Sequence, residues 1–513
     1  MKSDPPDTPP SVSSPATAGL GEAERKVLSY AAAIGKEFDF SVLAAAIEME
    51  EEPLAELLER LVQHGALKEL KGGDSYAFAR EDTLAQSYRD ISSSRLRVIH
   101  KKIAEAYEKI YPDPAPHLIP EMGRHFYLGR VHDKSLLYNR YAATQAMGAF
   151  SPDVAIRYLE RAREDLAALP GDHRLEEAEV LKEIGEQHYT MGDDKKADEL
   201  YEESLKRVPE GEVTLRALLL LSRANVAREM DKVEVTRQYC DEAIRLLEKA
   251  GHKKGLALAH RILGRVAYRA GQLDAGRKEI ETTIALLDPE EDALEVARCY
   301  IDMGNVHSAA DDPKEQAKSM DYYKKAIRKL EELHDYRELA RAHNNLAISL
   351  MPAHPAEAME AIKTAREYSE KTKDRRGLGW RLFNSVEIRL ALGDAEGAVR
   401  DNDEAGRILT ALSDSVGVQQ VTLNRGIIAH YKKSYKEAEA EYLKAVKMAD
   451  ALGYVPVVVE SLVHLAHTYA DWGKLGEAAK VISRIEQLGE ANVYFSTRGI
   501  YADLKKQVAS RSS

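Results

Sequence analysis

Cysteine is nearly absent: Cys240 and Cys299 are the only two in 513 residues, which excludes a disulfide framework. Both fall inside apolar helical patterns, which reads as buried thiols in a reducing compartment. No stretch approaches the roughly 18 consecutive apolar residues of a membrane-spanning helix. The N-terminus also lacks a basic segment followed by an apolar one, so no secretory signal is expected. Cations are not in excess. The formal net charge of −12 argues against broad affinity for nucleic acid or anionic membrane, which depends on surplus Lys and Arg releasing counterions. Catalytic motifs are missing too: there is no G-x-x-x-x-G-K-[ST] phosphate loop, no nucleophile elbow and no Ser, His and acid set. These absences lead us to expect a cytoplasmic, non-enzymatic protein with no catalytic residues and no cofactor.

What is present is helical pattern. Hydrophobic residues at 44% and charged residues at 31% suit a well-packed, helix-rich chain, and 513 residues exceed what one core supports. Residues 1–20 begin MKSDPPDTPPSVSSPATAG, rich in Pro, Ser and Thr, and are expected to be a disordered tail. The pattern then predicts helices over Glu22 to Ile34, Phe40 to Ile47 and Glu51 to Gln63. Strand-like pieces follow over Ala66 to Leu70 and Ser75 to Ala79, joined by Lys71-Gly72-Gly73-Asp74. Three helices and a hairpin make a winged helix. Two further helices, Glu81 to Asp90 and Ser93 to Tyr111, lead to the breaker Pro112 to Pro120, so residues 21–118 form one region.

The rest repeats. A small residue recurs as Ala143, Gly185, Ala224, Gly264, Gly304, Ala347, Val386, Gly426 and Ala466, at spacings of 42, 39, 40, 40, 43, 39, 40 and 40. A second series keeps step: Ala162, Ser204, Ala243, Thr283, Ala326, Ala365, Ala405, Ala445 and Ile485. The unit Ala178 to Pro209, with Ile184, Gly185, Gly192, Ala197, Tyr201, Ser204 and Pro209 in order, resembles a tetratricopeptide repeat (TPR). That resemblance implies about nine helix pairs over residues 119–490, stacked as an all-α, right-handed superhelix or α-solenoid, with a capping helix and tail over 491–513. It also implies protein binding in a concave wall built from the first helix of each pair.

The series AAAIGKEFDFSVLAAA, LLERLVQHGALKE, YAFAREDTLAQSYRDI and RLRVIHKKIAEAYEKIY resembles the winged-helix region of signal-transduction ATPases of the maltose-activator type. There it links a nucleotide-binding domain to a TPR sensor. The missing phosphate loop means the ATPase part has no counterpart here. The third helix presents Glu51, Glu52, Glu56 and Glu59 against Arg60 alone, a surface that repels phosphates; Arg95, Arg97, His100, Lys101 and Lys102 form the more basic stretch.

By the TPR resemblance, residues three and two before each small marker, and one, four and five after it, face the groove. Asn345, Asn384 and Asn424 occupy one such position in three successive repeats, and Asn344 and Asn305 extend the row. An amide both donates and accepts, so a row of them suits the backbone of an extended peptide. Long-repeat adaptors similar to kinesin light chain use Asn in this way. The alternative is that each Asn satisfies a neighbouring backbone within the fold. Upstream, Arg261, Arg265, Arg269, Arg298 and Arg341, with Tyr268, suit an acidic or phosphorylated partner; a solvated charged face is the alternative. Trp380 and Phe383 offer an aromatic anchor beside Asn384, or packing. His464 and His467, with His430 one repeat earlier, carry no HExxH glutamate and no nearby Cys, and are read as polar lining rather than a metal site. The reading is therefore a protein- or peptide-binding scaffold in signalling or regulation, with no membrane or nucleic-acid partner. A homo-oligomer is left open. The alternative is a transcription regulator whose winged helix contacts DNA while the groove senses an effector.

Overall fold

A computed structural model describes residues 19–512 apart from 71, 231, 311 and 454. Residues 1–18 of the expected tail, Lys71 of the hairpin turn and Asp311 of a helix–helix turn thus lie outside the described residues. The chain divides into two units, 1–187 and 188–513.

The first unit opens with α1 (Glu22–Ile34), β1 (Glu37–Asp39), α2 (Phe40–Ile47), α3 (Glu51–Gln63), β2 (Leu67–Glu69) and β3 (Ser75–Phe78). The helix bounds match those read from the sequence, while β1 is an element that reading lacked. It pairs antiparallel with β3, Phe38 opposite Tyr76, and β2 pairs on the other side, Leu67 opposite Phe78, in the order β1-β3-β2. Leu54, Leu57, Leu58 and Leu61 recur at helical spacing on α3 and are buried, with Leu28, Leu43 and Phe78 in the same core. Its four glutamates and Arg60 are exposed. Helices α4 (Glu81–Arg89), α5 (Ser93–Ile110), α6 (Ile119–Gly129), α7 (His132–Gly148) and α8 (Pro152–Ala168) complete this unit with most of α9 (Arg174–Met191).

The second unit is an all-α solenoid. After α10 (Asp194–Arg207), helices stack in antiparallel pairs: α11 (Val213–Glu229) with α12 (Val233–Ala250), α13 (Lys253–Arg269) with α14 (Leu273–Leu286), and α15 (Ala293–Ser308) with α16 (Pro313–Leu333). The order continues through α17 (Tyr336–Leu350) and α18 (Pro355–Lys371), then α19 (Arg375–Ala391) and α20 (Ala395–Ala411). Last come α21 (Ser415–Tyr431) with α22 (Tyr435–Leu452), α23 (Val455–Asp471) with α24 (Leu475–Leu488), and α25 (Phe495–Ser512). First helices of 15–17 residues account for the forty-residue pitch. Asp335, Asp374 and Asp414 fix their starts by accepting the backbone N–H three residues on, at 2.8–3.0 Å.

The small markers are where helices of a pair cross. A Cβ on Gly304 would stand 2.4 Å from the Tyr323 ring, and one on Gly426 2.5 Å from Tyr442. Both tyrosines are about 1% exposed, each filling the space that its glycine leaves. The second-helix markers Ala243, Ala326, Ala365, Ala405, Ala445 and Ile485 are fully buried. On α25, Tyr501 and Leu504 join the core of α22 to α24, which covers the last pair. Both cysteines are buried, and burial pushes each thiol up to about 12. Among the described residues no helix is long and apolar enough to cross a membrane.

Successive first helices from α11 to α23 touch one another, and among the described residues no two successive second helices meet as extensively, so the first helices form the inner wall. The coil is tight: a Cβ on Gly192 would lie 2.8 Å from Arg376 Nη1, which brings the turn before α10 against α19.

Candidate functional site

Side chains on the inner wall bond across helices at a separation of one repeat. Asn384 Nδ2 on α19 donates to Asn344 Oδ1 on α17 at 2.9 Å, and Asn344 Nδ2 donates to Asn345 Oδ1 at 3.1 Å. Asn345 Nδ2 in turn donates to Asn305 Oδ1 on α15 at 2.8 Å, an oxygen that also accepts the Tyr323 hydroxyl at 2.8 Å. Four amides therefore form one chain across three repeats, all half-buried. Each amide polarises the next, and the chain holds the row in a single orientation. At its end Asn384 keeps a second N–H and its carbonyl oxygen outside these bonds.

Asn424 departs from the row. It is 1% exposed, and its Nδ2 donates to the Phe383 carbonyl on α19 at 3.1 Å. This is the backbone-satisfying alternative, so the Asn424 amide is not offered to a ligand. Trp380 meets Phe383 edge to face at 5.6 Å, and its Nε1 donates to Asp414 Oδ2 at 3.3 Å. Both rings lie half-buried against Leu382 and Leu409, so packing accounts for much of their surface.

The arginine cluster is assembled around a buried carboxylate. Asp302, only 2% exposed, accepts Arg261 Nε at 2.7 Å and Arg341 Nη2 at 3.0 Å. Burial, the largest influence, would raise its pKa, yet Arg261, Arg341 and Arg265 outweigh it and hold the carboxyl down to about 2. Arg298 pairs with Glu338 at 2.8 Å and with Glu295, and Arg341 also reaches Glu338 at 3.2 Å. Three carboxylates thus answer three of the guanidiniums, Arg261, Arg298 and Arg341. Arg265 is less tightly paired: it is 30% exposed, lies 3.9 Å from Asp302 and acts on the Glu229 carboxylate at longer range, and desolvation and Arg228 push its pKa downward. Arg269 instead donates to the Arg228 carbonyl at 2.7 Å.

At the far end of the wall, His430 and His467 stack at 4.9 Å, and Asp471 lies beside both. The sequence reading paired the histidines and overlooked Asp471, although its place four residues after His467 puts it on the same helix face. His464 lies apart, stacked on Tyr442 at 6.0 Å; burial, then His467 and His430, push its imidazole down to about 4.

No known family model and no curated protein matches the chain. Solved structures do align. A Rap protein complexed with competence and sporulation factor is 16% identical, over 65% of this chain and 99% of that one, at a TM-score of 0.46. A Signal Transduction ATPase with Numerous Domains protein with a tetratricopeptide repeat sensor, from Pyrococcus horikoshii, is 14% identical, over 95% of this chain and 66% of that one, at 0.41. Aspartyl phosphate phosphatase F from Bacillus subtilis is 15% identical, over 86% and 96%, at 0.36. Likenesses of this size assign neither a family nor a function.

Proposed function

We propose that the inner wall of the second unit binds an extended peptide, making the protein a non-enzymatic, protein-binding scaffold in signalling or regulation. The observation that carries this reading is the amide chain Asn384–Asn344–Asn345–Asn305. An extended backbone offers alternating N–H and C=O groups, and Asn384 has one donor and one acceptor left to pair with them. A row already fixed by its own hydrogen bonds meets a peptide with little ordering cost. Arg265 would take one carboxylate, from an acidic side chain or a chain terminus, because Arg261, Arg298 and Arg341 are already paired. Acidity of the partner then matters at one point rather than along the whole arginine cluster.

Within this proposal, residues 21–118 form a winged-helix-like module that docks protein, residues 119–490 are the TPR array and residues 491–513 cap it. The exposed glutamates of α3 oppose a DNA contact, so the transcription-regulator reading gains no support from this surface. The test is a displayed-peptide selection on the full chain, repeated with Asn344→Ala and Asn384→Ala together. Peptides selected by the parent should lose at least about tenfold in affinity on the variant, the worth of one to two hydrogen bonds. Undiminished binding by a variant that melts like the parent would move the site off this row.

A further inference from the structure

From His430, His467 and Asp471 we infer a site for one first-row divalent cation, with Zn(II) as its probe, at the outer end of the last two repeats. Nε2 of His430 lies 3.2 Å and Nε2 of His467 3.7 Å from the same oxygen, Asp471 Oδ2. Two ligands each about 2.1 Å from a tetrahedral ion stand about 3.4 Å apart, so these separations bracket the required one. One ligand atom from each residue falls within 4.8 Å of the other two. His467 is 37% exposed, and its rotation closes the remaining gap.

The surroundings support a ligand set rather than a chance cluster. His430 Nδ1 is 2.7 Å from Thr468 Oγ1, a buried hydroxyl; when Nδ1–H donates to it, the ring presents Nε2 to the ion. His430 lies in the last turn of α21 and Asp471 ends α23, and helix C-termini favour a positive charge. Two imidazoles and one carboxylate suit Zn(II) or Fe(II) and leave at least one position for a solvent oxygen or a partner's carboxylate. Bound there, the ion ties α21 to α23 at the edge of the wall. The site is independent of the amide row, and neither stands or falls with the other.

The experiment is calorimetric titration of the full chain, stripped of metal by a chelator, with Zn(II), alongside His467→Ala, Asp471→Asn and Thr468→Val. The parent should bind one Zn(II) per chain. His467→Ala and Asp471→Asn should each weaken that event at least about tenfold, and Thr468→Val about tenfold through ring orientation. His467 and Asp471 are exposed enough that both variants should melt like the parent without metal. Substitution with Co(II) supplies a second readout, a visible absorption band present in the parent and lost in His467→Ala. Zn(II) uptake unchanged in both ligand variants, or no uptake by the parent at micromolar concentration, would overturn the assignment.

Discussion

Replacing Asp302 by Asn keeps its volume and removes its charge, which isolates what the anion does. Asp302 is 2% exposed and hydrogen-bonded to Arg261 and Arg341, with Arg265 at 3.9 Å. Its carboxyl is held down to about 2 from 3.8, which corresponds to a few kcal/mol of native-state stability. Deleting the anion also leaves guanidiniums facing one another, and losing one partner of a buried pair costs about 3–5 kcal/mol. Arg341 and Arg265 retain 27% and 30% exposure, so groove water relieves them and the lower figure, about 3 kcal/mol, is expected. Urea unfolding followed by circular dichroism should therefore show the second unit of Asp302→Asn melting well before the parent at pH 7. Because the folded pKa is depressed, this contribution is complete above the unfolded value near 4 and is lost as pH falls towards 2. The gap between parent and variant should therefore hold from pH 7 to about 4.5 and narrow below it. The double variant Arg261→Gln/Asp302→Asn should lose less than the two single losses together. A midpoint within about 0.5 kcal/mol of the parent would refute the buried counter-ion, because surface changes usually fall within that range.

The other predictions concern single positions. Asn424→Ala should cost about 1–3 kcal/mol by emptying a buried site and removing the bond to the Phe383 carbonyl, whereas Asn384→Ala, at a half-buried residue bonded to Asn344, should cost less than about 1 kcal/mol; thermal scans of both separate a buried structural amide from one on the groove wall. Gly304→Ala drives a methyl into the Tyr323 ring and should lower stability by about 1–3 kcal/mol, while Gly499→Ala on α25, with nothing within 4 Å, should raise it by up to about 1 kcal/mol. Glu460 is half-buried and pushed up to about 7, chiefly by burial, against a hydrogen bond from Gln420 at 2.9 Å. A raised carboxyl pKa means that stability falls as pH rises from about 4.5 to 7, so Glu460→Gln should melt higher than the parent at pH 8 and equally at pH 4.

The repeat was legible because each helix crossing demands a small residue, and Gly304 opposite Tyr323 shows the steric reason for one such marker. Strand β1 was not, since Glu37-Phe38-Asp39 offers one apolar residue and no alternation; it becomes a strand only by pairing with β3. The Asn row was readable as a set of positions. Its bonding was not, because whether Asn384 reaches Asn344 or a backbone carbonyl depends on the offset between neighbouring first helices. That offset places Asn424 against the Phe383 carbonyl instead. The arginines were legible as cations, but Asp302, Glu295 and Glu338, which neutralise them, sit on the same helices and were left out of the balance.

The most direct measurement is the affinity of a selected peptide for the parent chain and for Asn344→Ala/Asn384→Ala, by titration at two salt concentrations. Peptide binding along the amide row predicts at least about tenfold weaker binding in the variant, with a salt dependence small enough for one contact at Arg265. Equal affinities in two proteins of equal melting temperature would contradict it.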